Sequence, residues 1–364
     1  MQKLKVYSNS TLYVSKIISA LLAPYFQMIN SFRPSIDLDN ISIQNIVILE
    51  YHRIGDVIMI IPAVQALKKK YPQAKITLIC NPKTLDLAKH LEIADECIPF
   101  KAPWTDWSWD FIKWAKVISF AKKLSKRNFD LAFDFKGDLR NNWFLWAIKP
   151  KLSFGYDTTG GRYLLSNAYK MNVKIHQTRR AIELVSKVGC YYQIGKKQHK
   201  NNYGGTIVFH AGASDKRRSW PVEHWEELAD MVLPYYSLTV VNTFDSIELV
   251  DFAKKRKPAI DIFNGSLVEF MKWLEHQRCL IAPDSMAGHI AAYVGIPVIS
   301  IFGSQSPDLT RPIGKNTRVI LPEKMCTHKR SHWRLCYYCM KSITPKRVFS
   351  ELKNTVTPNK KYCK

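Results

Sequence analysis

From residue 45 onward the chain alternates short apolar runs with segments of helical periodicity, a grammar that few folds other than a helix-covered parallel sheet can satisfy. NIVILE (45–50), KITLIC (75–80) and DLAFDF (130–135) predict buried strands. Ile58–Lys70 and Phe111–Lys126 predict the helices between them, and each closes on a Lys cluster that suits a helix C-terminus. A polar stretch, GKKQHKNNYGG (195–205), interrupts the pattern, which then restarts with TIVFH (206–210), SLTVVN (237–242), CLIAP (279–283) and VISIF (298–302). The expectation is α/β architecture with two doubly wound domains joined by a linker. Facing each other, they would enclose a central cleft bounded by the carboxyl ends of both sets of strands, where such folds hold their ligands.

A length of 364 residues agrees with two domains at the usual ~150 residues each. The boundaries predicted are an N-terminal extension (1–40), a first Rossmann-like domain (41–195), a second (205–322) and a basic, Cys-containing C-terminal tail (323–364). With 46% hydrophobic and 23% charged residues, disorder and a polytopic membrane protein are excluded. Eight cysteines scattered through so long a chain point to a reducing, cytoplasmic setting and not to a disulfide scaffold. The net charge of +24 favours phosphate-rich partners: nucleic acid, anionic lipid or a phosphorylated glycan. The apolar stretch Ile17–Ile29 is too short to span a bilayer by this reading, and Pro24 and Gln27 interrupt it. Two readings of it stay open. Lys3, Lys5 and Lys16 beside Leu21, Leu22, Tyr25 and Phe26 suit a helix lying in a membrane interface; equally, the segment could pack on the body of the protein.

Three loops carry the candidate chemistry. In HRIGDVIMIIP (52–62), after the first strand, Asp56 is either a helix N-cap or a general base for an acceptor hydroxyl, with His52 and Arg53 beside it to bind an anionic substrate. In HAGASDKRRSWP (210–221), small residues let backbone N–H groups approach a phosphate that Lys216, Arg217 and Arg218 would neutralise; the alternative is a solvated basic loop. In DSMAGHIAAYVGIPVISIFG (284–303), a short helix opens after Asp284 and Ser285, and its N-terminus is a natural diphosphate site. Here Asp284 could instead cap the helix, and His289 could be a core histidine. Two anion-binding loops in one domain can hold a nucleoside diphosphate between them.

At these segments the sequence resembles glycosyltransferase family nine, the ADP-heptose:lipopolysaccharide heptosyltransferases and their relatives. The resemblance runs from Asn45 to about Leu352 through IGDVIMIIPAVQALKKKYPQAKITLI, DFKGDLR (134–140), HAGAS…RSWPVEHW, the D-S-x-x-x-H-x-A-A block with FGSQSP, and CYYCMKSITPKRV. It implies a GT-B fold and an inverting, metal-independent transfer from a nucleotide-diphosphate sugar to a phosphorylated, lipid-linked core oligosaccharide, with no cofactor. By position, Asp56 matches the family's base. Arg218 stands where relatives usually carry a donor-binding lysine, so Lys216 or Arg217 would share its task. Ser214, Asp284, Ser285, Met286, Ala287, Gly288 and His289 match donor-site positions, although many relatives have glycine where Met286 stands. Glu248, or Asp245 in its place, is the expected ribose ligand. Arg53, Lys136 and Arg140, with His52, are assigned to the acceptor and its phosphates. The implied location is peripheral, on the anionic cytoplasmic face of the inner membrane.

The D-x-D Asp37–Asp39 precedes the first strand and so is not expected to hold a metal diphosphate. Cys326, Cys336 and Cys339 with His328 and His332 have partial zinc-site spacing, but buried thiols under a C-terminal helix are the favoured reading. Rival functions are transfer from another nucleotide sugar to a different surface polysaccharide, a non-catalytic sugar-nucleotide binder, or a nucleic-acid binder. Against the last, Trp104, Trp107, Trp109 and Trp114 cluster beside acids and no nucleic-acid motif occurs.

Overall fold

The computed structural model describes residues 9–34, 36–106, 110–193, 205–213, 215–256, 258–324 and 336–357. The chain divides into two compact units, Lys5–Ile194 and Gly195–Lys364.

The first unit opens with helix α1 (Asn9–Ser31) and then alternates β1 (Asn45–Glu50), α2 (Ile54–Lys70), β2 (Lys75–Cys80), α3 (Leu85–His90), β3 (Glu96–Pro99), α4 (Phe111–Ser125), β4 (Leu131–Asp134), α5 (Leu139–Ile148), β5 (Leu152–Tyr156), β6 (Asn167–Tyr169) and α6 (Gln177–Ser186). All pairings are parallel, in the order β3-β2-β1-β4-β5-β6. The second unit contains β7 (Ile207–Phe209), α7 (Val222–Val232), β8 (Leu238–Val241), α8 (Ile247–Lys255), β9 (Ile260–Phe263), α9 (Leu267–Leu274), β10 (Cys279–Pro283), α10 (Met286–Val294), β11 (Val298–Ile301), α11 (Pro307–Thr310), β12 (Thr317–Ile320), α12 (Tyr337–Lys341) and α13 (Pro345–Thr355). Its parallel order, β12-β11-β10-β7-β8-β9, repeats the first. Each sheet thus winds outward in both directions from a central pair, β1/β4 and β7/β10, and loops leaving that pair diverge to opposite faces. The central strands are apolar throughout because helices cover both faces: Ile46, Val47, Ile48 and Leu49 are buried, as are Cys279, Leu280 and Ile281.

The motif DFKGDLR owes much of its composition to local architecture. Asp134, at the end of β4, accepts from the backbone N–H of Gly137 (2.7 Å) and from Asn141 Nδ2 (2.8 Å). Asn141 Oδ1 in turn accepts from Tyr51 Oη (2.7 Å) and Trp104 Nε1 (2.9 Å). Gly137 has φ +69°, and a Cβ there would lie 2.7 Å from both Thr158 Oγ1 and Tyr156 Cβ, so only glycine makes this turn. Asp138 caps α5 by accepting from the Arg140 N–H. Trp104 and Trp114 are packing residues, their ring centroids 5.2 Å apart; Trp107 and Trp109 lie outside the described residues.

Two expectations change. Helix α1 runs 23 residues straight through Pro24, and Leu12–Ser31 has mean hydropathy 1.3, enough in length and composition to cross a membrane. The ~3 kcal/mol cost of an interior proline is offset by anchors on both sides of it. Ser19 Oγ accepts from the Gly161 N–H (2.9 Å), Phe26 packs edge-on to Trp146 (4.8 Å), and Asn30 Oδ1 accepts from Trp146 Nε1 (3.0 Å). The C-terminal segment read as a basic tail contributes Met340, Ile343, Val348 and Leu352 to the second unit's core. Trp220 donates its indole N–H to the Ile343 carbonyl (2.9 Å), which fastens that segment to the loop after β7.

Burial pushes the Asp134 carboxyl up to about 6 from an ordinary 3.8. The folded chain therefore holds an extra proton between about pH 4 and pH 6; the stability attached to it is complete below that window and lost as pH rises through it. Relative to the parent, Asp134→Asn should gain about 3 kcal/mol between pH 4 and pH 7. Urea unfolding at both pH values measures this, and parallel pH curves for the two proteins would rule it out.

Candidate active site

Both central strand pairs end in charged clusters. In the first unit, helix α2 begins at Ile54 with Arg53 as its N-cap residue, so Asp56 is the third helical residue and not the cap that one reading allowed. Its carboxylate is free of capping duty and turns to the neighbouring loop after β4. There Lys136 Nζ lies 2.9 Å from Asp56 Oδ1 and 3.2 Å from Glu50 Oε2. Glu50, the last residue of β1, has a side chain only 1% exposed, and its Oε1 lies 3.3 Å from His52 Nδ1. Burial raises the Asp56 pKa, but the Lys136 ammonium, with His52 and Arg53, outweighs it and leaves the carboxyl below its ordinary value. For Lys136, burial disfavours the charge while Asp56 and Glu50 more than restore it, so the ammonium is held above the usual lysine range.

The structure therefore brings His52, Asp56 and Lys136 together. Lys136 is committed to two carboxylates, and Arg140 forms a bidentate pair with Asp138 (Nε–Oδ1 2.8 Å, Nη2–Oδ2 2.7 Å). Arg53 is exposed at the start of α2. Sequence reasoning passed over Glu50, Tyr51 and Asn141, and noted Asp134 only as the first residue of DFKGDLR. An acid closing an otherwise apolar strand, directly before His52, was the available signal for Glu50.

In the second unit the loop after β7 starts at His210, which burial holds neutral by pushing its pKa down to about 4. Gly212 follows; a Cβ there would lie 2.7 Å from Thr243 Oγ1, so the small-residue run also lets this loop pass the one after β8. Ser214 lies outside the described residues. Asp215 caps the 3-10 turn Lys216–Arg218 and pairs with Arg217 through Nε (2.8 Å) and Nη2 (2.6 Å). This hydrogen bonding takes the Asp215 pKa down to about 2. Lys216 is exposed. Arg218 Nη1 reaches Asp284 Oδ2, 3.2 Å away at the end of β10, so the two loops of the central pair are joined by an ion pair.

Asp284 is thus not the cap of α10. Ser285 occupies that position without making a side-chain cap bond, and its buried Oγ has no hydrogen-bond partner among the described residues. The first turn of α10, Met286, Ala287 and Gly288, thus starts without a side-chain cap bond from its N-cap residue. The missing side chain of Gly288 has a packing cause, since a Cβ would lie 2.9 Å from Pro312 Cγ. His289 is buried on the same helix. Glu248 is exposed in the first turn of α8, with Asp245 exposed just before it. Cys336 and Cys339 are buried; Cys326, His328 and His332 lie outside the described residues.

Chemically, the first unit offers an ionised carboxylate beside a basic loop, and the second a guanidinium–carboxylate pair at the N-terminus of α10. The sequence profile of glycosyltransferase family 9 (heptosyltransferase) matches residues 117–336. The chain is similar to lipopolysaccharide heptosyltransferase 1 of Pseudomonas aeruginosa, 22% identical over 74% of this chain and 82% of that protein. It is similar also to lipopolysaccharide heptosyltransferase 3 of Escherichia coli K12, 24% identical over 74% of this chain and 84% of that protein. Among solved structures, E. coli heptosyltransferase WaaC with ADP superposes with TM-score 0.69 at 16% identity, covering 86% of this chain and all of that one; this likeness bears on the fold, which is the GT-B class. With the family profile matched over more than half its length, the chain belongs to glycosyltransferase family 9 and is a glycosyltransferase.

Proposed function

We propose that the protein transfers a heptose from ADP-heptose to a phosphorylated, lipid-linked lipopolysaccharide core acceptor, with inversion and without a metal, at the cytoplasmic face of the inner membrane. The observation that carries this reading is Asp56, a carboxylate kept ionised by Lys136 where β1 and β4 diverge. Asp56 takes the proton from the acceptor hydroxyl as its oxygen bonds to the anomeric carbon. The bond from that carbon to the diphosphate oxygen breaks, and its electron pair leaves with ADP. The growing charge falls to Arg218, with Lys216 and the N–H groups of Met286–Gly288 as further donors and the Ser285 hydroxyl as another. Ser214 and His289 complete the donor site in this reading, and Glu248 takes the ribose hydroxyls. Arg53, His52 and Arg140 meet acceptor phosphates, with Lys136 acting mainly on the base. The D-x-D supports the metal-free reading by its own geometry: Asp37 caps the turn Leu38–Asn40 ahead of β1, accepting from the Asp39 N–H.

Asp56→Asn should lower kcat by about 10²–10⁴-fold while leaving nucleotide affinity intact; unchanged turnover would remove Asp56 as the base. Lys136→Met leaves Glu50 and Asp56 buried together without their cation, so the acid limb of kcat/KM should move to higher pH. An acid limb that stays in place would return Lys136 to the acceptor. Calorimetric titration with ADP, UDP, GDP and CMP in EDTA should show selective ADP binding. Arg218→Ala should weaken it by about 10–100-fold. Preference for another nucleotide would move the reaction to a different surface polysaccharide, and binding to none would sink the donor site.

A further inference from the structure

Helix α1 has two distinct long faces. Ser19, Phe26 and Asn30, at i, i+7 and i+11, share one stripe, and all three bind the first unit: Ser19 at Gly161, Phe26 at Trp146 and Tyr163, Asn30 at Trp146 and the Tyr163 carbonyl. The spacing i, i+4, i+8, i+12, i+15 puts Tyr13, Ile17, Leu21, Tyr25 and Met28 on the opposite side, where all are exposed, Leu21 by 75%; Phe32, in the turn just past the helix, is 84% exposed. Val14, Ile18 and Leu22 widen this band, which runs about 30 Å. Water does not favour so long an uncovered apolar surface.

We propose that α1 is a fixed, in-plane anchor that seats the first unit on an anionic lipid bilayer. A spanning helix would have to present its docked stripe to lipid as well, and that stripe is tied to the folded unit at both ends. The charge pattern selects a membrane over a protein groove. The first 36 residues hold Lys3, Lys5, Lys16 and Arg33 and no acid. The layer also extends beyond α1. Trp146 of α5 touches Phe26, and Trp143 of α5 lies 6.0 Å from Trp114 of α4, so α1, α5 and α4 lie side by side. On α4, Phe111, Ile112 and Ile118 are exposed, as are Lys116, Lys122 and Lys123. Apolar side chains entering the acyl boundary beside lysines at headgroup level are what an anionic surface binds. This inference extends the peripheral location proposed above and needs no particular acceptor.

The test is flotation of the full-length protein with vesicles of phosphatidylethanolamine and phosphatidylglycerol, against pure phosphatidylcholine. Binding should favour the anionic vesicles and weaken at about 0.5 M salt. A Leu21→Glu, Tyr25→Glu, Met28→Glu triple variant, with thermal unfolding unchanged, should lose binding by more than about tenfold. Replacing Lys116, Lys122 and Lys123 by Gln should reduce the anionic preference without abolishing binding. Three results would overturn the proposal: flotation of the triple variant equal to the parent, parent protein resisting alkaline carbonate extraction as a spanning helix does, or a triple variant altered in oligomeric state but not in vesicle binding. None of these readouts uses glycosyl transfer, so a wrong donor or acceptor assignment would show separately, in the nucleotide titrations.

Discussion

The parallel pairing of β1 with β4, repeated by β7 with β10, governs nearly everything else in this molecule. Two adjacent strands whose outgoing loops turn to opposite faces leave a notch that neither neighbouring helix fills. The side chains that first reach that notch are Asp56 and Lys136 in one unit and Arg218 and Asp284 in the other. Neither site depends on a specialised loop fold. Each follows from strand order together with charged residues at the carboxyl ends of the central strands.

Charge burial sets the character of the first site. Two carboxylates, Glu50 at the end of β1 and Asp56 in the first turn of α2, the former almost fully excluded from water, are tolerated because a single ammonium lies within hydrogen-bonding reach of both. Burying ions is costly, and breaking such a cluster by removing one member leaves an uncompensated charge worth about 3–5 kcal/mol. The arrangement keeps Asp56 deprotonated without an open, water-filled environment. The nearby Asp134 has no such cation and moves in the opposite direction, toward its protonated form. Lys136 lowers the proton affinity of Asp56, while burial raises that of Asp134, so the two carboxyl groups move in opposite directions.

The sequence was most legible where a single period or motif governed local structure. The seven apolar runs at the centre of the sheets announced themselves because strands buried on both faces carry no polar punctuation. The outer strands β3, β6, β9 and β12 did not: their residues are half-exposed and mixed in polarity, so nothing separates them from loops. The motif residues stand at the carboxyl ends of the central strands, and several have structural work there. Gly288 makes room for Pro312, Trp220 grips Ile343, and Asp134 with Gly137 shapes a turn. Glu50 escaped notice because an acid at a strand end looks like the edge of solvent, whereas here it lies beneath Lys136. Pro24 misled because an intrinsic helix breaker was outweighed by tertiary anchoring that no local pattern encodes.

The bond from the Trp220 indole to the Ile343 carbonyl makes the chain's far end a mechanical partner of a loop more than a hundred residues earlier. Trp220 stands two residues beyond Arg218, and Met340, on the same C-terminal segment, fills the space that Gly303 leaves open. The guanidinium is therefore cantilevered from a splice between the middle of the chain and its end. The basic loop therefore gains this support only once residue 343, 123 positions downstream of Trp220, has been synthesised.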